Sequence, residues 1–391
     1  MTTHVLIVNV ETFQKHLQYM FIGTGNGVSM NFNNNAIPTE NIHSAREKNI
    51  CGMIADGNRI RRDDYIIFYV QQSKNFGGAF YGIFQAKDDN VFLDKSQENK
   101  YPDLPKSLAY RQLIKPYKIY KKGVTEWEAL DAIDGLTSPN QMLWSLIYRK
   151  LKGNRGNTMI TLYESDRLIN MIASKNDNAY LTLQDDESVS FDSEQAKIIK
   201  TNQPFNEYTA EKEPINILPR LIAQYNNAHA HEIHLQSYII QIIGKDINTS
   251  LDQSIFLEDT NPIEWIGNEV SCGVGMQRMD IVISKRGTPI SSLYPIELKC
   301  VKAEASHINQ LYKYIDWLRQ YYIPNKPSVI NPIILTRSTS GDETVGFIGA
   351  IEQFNDFYEN NRCINLNINR LRWIQYNVDN NKLVFSNTNL I

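Results

Sequence analysis

Short apolar runs alternate with polar turn residues over the first part of the chain. These runs are rich in β-branched and aromatic residues, and they predict strands at residues 4–10, 65–70 and 79–84. Residues 75–78 have the composition of a hairpin connection between the last two strands. Helical spacing of apolar positions predicts helices at residues 10–21 and 141–151. Few helices and several short strands predict a small α+β or β-barrel module of about 170 residues.

A different pattern begins near residue 215, where helical spacings alternate with apolar runs typical of buried strands. The predicted elements are, in order, a helix at 231–243, strands at 269–272, 278–284 and 293–298, a helix at 307–322, a strand at 332–336 and a helix at 347–358. This alternation predicts an α/β domain in which helices flank a central mixed sheet.

The segment between these two patterns, residues 174–214, is rich in Asn, Asp, Glu, Ser and Gln and predicts a polar acidic linker. The predicted organisation is therefore two domains, at residues 1–173 and 215–391, joined by that linker.

Composition excludes several classes of protein. The 391 residues contain no uninterrupted apolar stretch of roughly 18 residues, which a membrane-spanning helix needs. The N-terminus lacks the basic and apolar regions of a signal peptide. The four cysteines include no CxxC pair, so neither a zinc site nor a disulfide framework is indicated. We therefore expect a soluble, cytoplasmic protein that does not bind membranes.

The formal net charge of −3 is an average over two unlike parts. Residues 1–175 contain about 22 Lys and Arg against about 17 Asp and Glu, whereas the remainder contains about 18 against about 26. Such asymmetry is more informative than the sum. The basic part could contact phosphate, and the acidic part could hold a metal ion.

The strongest candidates for catalytic residues are Asp280, Glu297 and Lys299. One residue separates Glu297 from Lys299. Because side chains alternate along a strand, Glu297 and Lys299 share one face, and an Asp at the head of the adjoining strand can converge with them. Two carboxylates and a backbone carbonyl suit Mg²⁺. An ammonium group beside that site can orient or help to deprotonate an attacking water.

The alternative is that these residues form a surface ion pair on exposed strand faces. Both carboxylates, however, adjoin apolar runs at residues 281–283 and 293–296. A charge in such surroundings is costly unless it is paired or bound to a metal, and this favours a functional site.

Neighbouring helices supply further candidates. Glu232 heads the helix at 231–243, and Gln236 follows one turn later on a face that can approach the site. Gln310 and Tyr314 are spaced i and i+4 on the helix after the Glu297 strand. Trp317 and Tyr321 continue that stripe, where core packing is the favoured alternative. Glu269, opposite Asp280 in the predicted hairpin, competes with Glu232 for the role of third carboxylate.

Together, Glu232, the Gly-Val-Gly275 turn with Arg278-Met-Asp280, the strand Pro295-Ile-Glu-Leu-Lys299, and Gln310-Leu-Tyr-Lys-Tyr314 resemble the PD-(D/E)XK nuclease superfamily. The order of motifs is similar to the branch with a QxxxY element, as in RecB-type nucleases and the archaeal mismatch-endonuclease family. The resemblance covers residues 215 to about 336, and Met279 stands where the Pro of the superfamily's name would be.

This resemblance implies a restriction-endonuclease-like fold and a role for each matched residue. Asp280 and Glu297 would be ligands of Mg²⁺, for which Mn²⁺ would substitute, and Lys299 would be the catalytic lysine. Glu232 would complete or orient the metal site. Gln310 and Tyr314 would support the site or contact DNA.

The first 172 residues resemble EVE and related PUA-like modules at segments 65–69, 80–84, 114–118 and 144–156. Such modules are small barrels, and some members accept a flipped, modified base between aromatic side chains. Core packing is the alternative role for the candidate pocket residues, which are Phe32, Phe80, Tyr81 and Trp144.

The densest basic stretch of the chain, at residues 148–156, could form a phosphate-binding loop. Its candidate nucleic-acid-binding residues are Arg149, Lys150, Lys152 and Arg155. The alternative is a solvated helix end with favourable dipole placement.

The leading hypothesis is a Mg²⁺-dependent DNA endonuclease of the restriction type, sequence-specific or modification-dependent, with a DNA-reading N-terminal domain. The expected partners are double-stranded DNA, modified or not, a second copy of the chain and a cognate methyltransferase. A repair nuclease for mismatched or branched DNA is one alternative, and a catalytically inactive nucleic-acid-binding protein is another.

Overall fold

The computed structural model describes residues 1–25, 32, 44–74, 77–95, 108–132, 134–146, 156–209, 211–272, 277–339, 343–360 and 367–388. The chain divides into two compact units. The first comprises Met1–Asn31 and Asp56–Ile215, and the second comprises Phe32–Ala55 and Asn216–Ile391. Within the described ranges, no helix combines the length and apolar character that crossing a membrane requires.

The first unit is built on a nine-stranded sheet. Its elements begin with β1 (Thr3–Val8), α1 (Val10–Tyr19) and β2 (Phe21–Thr24), and α2 (Ser44–Asn58) then starts in the second unit and ends in the first. The next are β3 (Tyr65–Val70), β4 (Ala79–Ala86), β5 (Phe92–Asp94), β6 (Tyr110–Pro116), β7 (Val124–Thr125), α3 (Glu126–Asp131), β8 (Asn157–Ile160) and α4 (Leu162–Lys175). The last are β9 (Ser188–Asp192), β10 (Lys197–Thr201) and β11 (Lys212–Pro214).

Strand β1 runs parallel to β3, and the other pairs in this sheet are antiparallel. Both faces of the central strands are buried, because successive side chains point to opposite sides. Ile66 and Phe68 enter one apolar cluster, whereas Ile67 and Tyr69 enter another. The strands predicted at 65–70 and 79–84 are confirmed. Helix α1 ends at Tyr19 because Met20 adopts a left-handed conformation, with φ of 48°.

A small α+β or β-barrel module was predicted for this part of the chain, and the pairing path of the described strands is open. It runs β11-β5-β6-β4-β3-β1-β8, with β2 on β6 and β7 on β4. The terminal strands, β11 and β8, are not paired with each other. The described strands therefore form an open sheet that buries apolar clusters on both faces.

Residues 174–214 are not a linker in the structure. Strands β9 and β10 form a hairpin, and β11 adds to the edge of the main sheet beside β5. Val189, Phe191 and Ile198 are buried in the core of the first unit. The polar composition misled because it averages over alternating positions, where Ser, Asp and Lys side chains flank the inward-facing apolar ones.

The helix predicted at residues 141–151 is present only in part, because the described residues 144–146 are helical and residues 141–143 are not α-helical. Pro139–Gln141 form one 3-10 turn, and Met142 is extended, with ψ of 155°. Residues 147–151 lie outside the described part of the chain.

The second unit contains the start of α2 and a seven-stranded sheet with its helices. Its helices are α5 (Leu218–Asn226), α6 (Glu232–Ile242), α7 (Thr249–Phe256), α8 (Ala305–Trp317), which continues into a π-helical turn at Leu318–Tyr322, and α9 (Glu343–Asn360). Its strands are β12 (Ile263–Ser271), β13 (Arg278–Lys285), β14 (Ser291–Lys299), β15 (Ser328–Ile330), β16 (Ile333–Arg337), β17 (Arg372–Asp379) and β18 (Lys382–Asn387). Every element predicted here is present, although the first strand begins six residues earlier than expected.

This second sheet is mixed, with the order β12-β13-β14-β16-β17-β18 and β15 beside β14. Strands β14, β16 and β17 are parallel, whereas the outer pairs are antiparallel. On one face, Phe347 of α9 packs against Trp373, with ring centroids 4.8 Å apart. On the other face, His231 at the start of α6 contacts Tyr376. The carboxyl ends of the parallel strands share one edge, where α/β sheets commonly bind ligands.

Candidate active site

Asp280 and Glu297 lie opposite each other on neighbouring antiparallel strands. Ile281 of β13 pairs with Ile296 of β14, so the next register position brings the two carboxylates together. Asp280 is half-buried, and its Oδ2 accepts a hydrogen bond of 2.8 Å from the backbone N–H of Leu298. Glu297 is only 1% exposed. The predicted convergence of these two carboxylates is therefore present.

Lys299 lies between two carboxylates. Its Nζ donates to Glu297 Oε1 at 2.5 Å and is 4.0 Å from Glu232 Oε2. Glu232 occupies the first turn of α6, and its side chain is 42% exposed, so this side of the cluster opens to solvent. The predicted group of Glu232, Glu297 and Lys299 is thus assembled around one ammonium group.

The carboxyl groups of this cluster outnumber its positively charged groups. Burial raises the pKa of Asp280 well above its ordinary value, and repulsion from Glu297 and Glu232 adds to this effect. Burial also raises the pKa of Glu297 and of Glu232, although Lys299 opposes the rise at both. Burial alone would lower the pKa of Lys299, but attraction to the carboxylates, Glu297 foremost, raises it overall. Three carboxyls and one ammonium group would accept a further cation.

The donor set fits a magnesium ion. The second oxygen of Glu297, Oε2, is buried and has no hydrogen-bond partner among the described residues. Within the same described ranges, no group of three His, Cys, Asp or Glu residues could hold a metal ion by itself. Mg²⁺ typically uses one or two carboxylates and keeps several waters, so Asp280 and Glu297 suffice.

Two helices fasten strand β13 on either side of Asp280. Gln236 of α6 is buried, and its Nε2 donates to the Asp280 carbonyl at 2.8 Å. Tyr314 of α8 donates its hydroxyl to the Arg278 carbonyl at 2.8 Å. These contacts fix the backbone of the strand that presents Asp280.

Other predicted site residues lie elsewhere. Gln310 is exposed, and its side chain makes no hydrogen bond with any described residue. Glu269 forms an ion pair with Arg278, so its closest cation is not Lys299. Trp317 and Tyr321 are half-buried and contact each other, with ring centroids 5.7 Å apart. Arg149, Lys150, Lys152 and Arg155, as well as the turn at 273–275, lie outside the described residues.

A cavity of about 420 Å³ lies within the first unit. It is lined by Val5, Ile7, Tyr69, Gln71, Gln72, Phe80, Glu126, Leu130, Leu146 and Thr158. The Tyr69 hydroxyl donates to Glu126 Oε2 at 2.5 Å, and the rings of Tyr69 and Phe80 have centroids 4.9 Å apart. Trp127, next to Glu126 on α3, is 67% exposed. The cavity therefore combines aromatic walls with one buried carboxylate.

Of the four aromatic residues predicted for a base pocket, Phe80 lines this cavity. Tyr81 is buried in the opposite apolar cluster, and its hydroxyl donates to the Ala196 carbonyl. Trp144 donates to the Pro139 carbonyl, and Phe32 is buried in the second unit. The sequence signal that was missed is the capping box of Thr125 and Glu128, which starts α3 and thereby places Glu126.

No protein-family model matches the sequence, and no curated protein matches it either. Three solved structures are similar to about half of the chain. A hypothetical protein from Leishmania major is 12% identical, with 45% of this chain and 96% of that chain covered and a TM-score of 0.27. The human THYN1 protein, solved in complex with 5-methylcytosine-containing DNA, is 10% identical, with 44% and 97% covered and a TM-score of 0.25. A protein from Pseudomonas syringae is 11% identical, with 43% and 98% covered and a TM-score of 0.24.

Proposed function

We propose that this protein is a Mg²⁺-dependent DNA endonuclease, in which the second unit hydrolyses phosphodiester bonds and the first unit reads DNA. One observation carries the proposal: half-buried Asp280 and buried Glu297 lie opposite each other, with the ammonium group of Lys299 beside Glu297. An isolated buried carboxylate pair would be costly, and a cation offsets that cost.

Each residue has a distinct part in the proposed reaction. Asp280 and Glu297 would hold Mg²⁺, which supplies positive charge to offset the charge that develops on the phosphate. Lys299 has a raised pKa and is therefore protonated at neutral pH, so it acts as a hydrogen-bond donor and fixed charge. Its position allows it to orient the attacking water and to stabilise charge on the phosphate oxygens. Glu232 keeps the ammonium group in place from the solvent side.

Substitution of the three central residues tests this assignment. We expect Asp280→Asn, Glu297→Gln and Lys299→Met each to lower the cleavage rate by roughly 100-fold or more, because the first two weaken Mg²⁺ binding and the third removes a positive charge beside the reacting phosphate. DNA binding without metal should be largely retained. Lys313→Met, on an exposed position of α8, is the matched control and should cleave normally. Full cleavage by any of the three variants would refute the assignment.

The cavity in the first unit supports a reading role for that unit. A volume of about 420 Å³ accommodates a nucleobase. When a base leaves the duplex it loses stacking on the neighbouring bases, and the aromatic side chains of the cavity could replace that stacking. A carboxylate such as Glu126 accepts hydrogen bonds from an exocyclic amino group. We therefore propose that the cavity receives an extruded, amino-bearing base.

Digestion of a panel of duplexes separates the forms that this function could take. Cleavage that depends on a modified base would identify a modification-dependent restriction enzyme. Cleavage of an unmodified sequence would identify a conventional one, which would require a cognate methyltransferase. Preference for mismatched or branched DNA would indicate a repair nuclease. If calorimetry detected neither Mg²⁺ nor Mn²⁺ binding, a non-catalytic DNA-binding protein would remain. Double-strand cleavage would favour a homodimer, because two antiparallel strands require two related sites.

A further inference from the structure

Arg337 lies beside the candidate active site but outside its carboxylate cluster. It is the last residue of β16, and Thr336 before it pairs with Lys299 of the parallel strand β14. Neighbouring strands are about 4.8 Å apart, so Arg337 and Lys299 occupy the same edge of the sheet. Because side chains alternate along a strand, Arg337 projects from the face of the sheet opposite to that of Thr336 and Lys299, toward α5 and α6.

The guanidinium group of Arg337 is held by an aromatic ring. Its central carbon lies 4.0 Å from the ring centroid of Tyr225, near the end of α5. Stacking of this kind uses one flat face of the guanidinium and leaves its N–H edges available. An arginine held in this way is already ordered before a ligand arrives, which reduces the entropy lost on binding.

The charge of Arg337 is not offset by a carboxylate in the described part of the chain, where it forms no ion pair. Lys299 differs in this respect, since Glu297 and Glu232 already surround it. Arg337 is half-buried, so its edges reach solvent. Its strand neighbour Tyr376 contacts His231 at the head of α6. His231 immediately precedes Glu232.

We propose that Arg337 binds a phosphate of the DNA strand next to the scissile bond. This inference rests on the proposed nuclease function and deepens it, because it names a substrate contact at the same edge of the sheet. A planar guanidinium can donate two parallel hydrogen bonds to a phosphate, which a lysine cannot. The contact would position the strand so that the scissile phosphate meets the Mg²⁺ that Asp280 and Glu297 would hold, beside Lys299.

The test compares the variants Arg337→Gln and Arg337→Lys of the whole 391-residue chain with wild type. Arg370→Gln is the matched control, because Arg370 precedes β17 at the opposite edge of the parallel strands and is paired with Glu352 and Glu359. Binding of a short unmodified duplex is measured by fluorescence anisotropy over a series of salt concentrations without Mg²⁺. Cleavage kinetics are then measured with Mg²⁺.

We expect Arg337→Gln to weaken binding about tenfold, the effect of one charge-assisted hydrogen bond. The slope of log affinity against log salt should fall in magnitude by about 1. Arg337→Lys should keep the slope and lose part of the affinity, and KM should rise more than kcat falls. Arg370→Gln should match wild type in all of these measurements.

If Arg337→Gln binds DNA with the affinity and salt slope of wild type, while the wild-type protein cleaves DNA, the proposed phosphate contact is refuted and the proposed nuclease function is not. Absence of both DNA binding and Mg²⁺-dependent cleavage in the wild-type protein would overturn the proposed function itself. If Arg337→Gln does not fold, Arg337→Lys decides the question: reduced affinity at unchanged slope supports the contact, and wild-type affinity refutes it.

Discussion

Tyr314 illustrates how one hydroxyl group can affect both stability and the candidate active site. Its ring is 3% exposed, and the hydroxyl donates to the Arg278 carbonyl, two residues before Asp280. Tyr314→Phe keeps the ring and removes only the donor. We expect the free energy of unfolding to fall by about 1 kcal/mol, because a partly buried carbonyl loses its partner. Urea denaturation measures this change, and the rate of Mg²⁺-dependent cleavage should fall with it.

Gln310 on the same helix provides the comparison. It is exposed and its side chain makes no hydrogen bond with the described residues, so Gln310→Ala should leave the free energy of unfolding unchanged. Equal stability of Tyr314→Phe and wild type would contradict the positioning role of the hydroxyl. Loss of cleavage by a fully stable Gln310→Ala variant would place Gln310 at the DNA, as the resemblance implies.

The sequence was sufficient to predict the convergence of Asp280, Glu297 and Lys299. Strand alternation places Glu297 and Lys299 on one face, and a hairpin brings Asp280 opposite them. Arg337 was not predicted, because its position depends on which strand lies beside β14. The Tyr225 contact further requires α5 to cover that face. Such contacts are set by sheet order and helix packing, which local patterns do not encode.

At the scale of secondary structure elements, local patterns predicted the second unit better than the first. Long runs with helical or strand periodicity identify β14, β16, α6 and α8, because each buries one continuous apolar face. The short strands β9, β10 and β11 were missed, since β9 and β10 each contain only a few inward-facing apolar residues and β11 contains no buried residue. The grouping of Phe32–Ala55 with the second unit was not predicted either, because it depends on long-range contacts.

One of these long-range contacts joins α2 to α5 and α6 through Glu47. Arg220 donates to both carboxylate oxygens, at 2.6 and 2.7 Å, and His234 Nε2 lies 2.8 Å from Oε1. Burial alone would raise the pKa of Glu47, but these hydrogen bonds and charges lower it from 4.5 to about 2. The ionised carboxylate therefore favours the folded state.

A carboxyl group with a lowered pKa in the folded state contributes stability above its unfolded pKa, and this contribution disappears as the pH falls through the folded pKa. We expect Glu47→Gln to lower the free energy of unfolding at pH 7 by about 2 to 3 kcal/mol. The difference from wild type should shrink as the pH falls from 4.5 to about 2. Urea denaturation at several pH values measures this effect.

Glu352→Gln is the control for the Glu47 prediction. Glu352 is 40% exposed and is paired with Arg370, so its loss should cost less than about 1 kcal/mol. If the difference between wild type and Glu47→Gln stayed constant down to acidic pH, the contribution of the ionised carboxylate would be refuted.

At the scale of the whole molecule, the net charge of −3 is the sum of two parts to which the proposal gives different functions, DNA reading and metal-dependent cleavage. The N-terminal residues are net basic, and the candidate metal site lies in the acidic remainder. DNA binding and metal binding should therefore respond to different substitutions. The cavity residues belong to the first unit and the Asp280 cluster to the second, with no residue in common.

Glu126→Gln and Glu297→Gln test this separation in the whole 391-residue chain. Glu126→Gln should weaken binding to the preferred duplex, because it replaces an acceptor in the cavity, while calorimetric Mn²⁺ binding stays at the wild-type level. Glu297→Gln should weaken Mn²⁺ binding and abolish cleavage while DNA affinity measured without metal is kept. Sites without shared partners have additive effects, so the double variant should show both losses at their single-variant size. Weaker Mn²⁺ binding by Glu126→Gln would contradict the division of function between the two units.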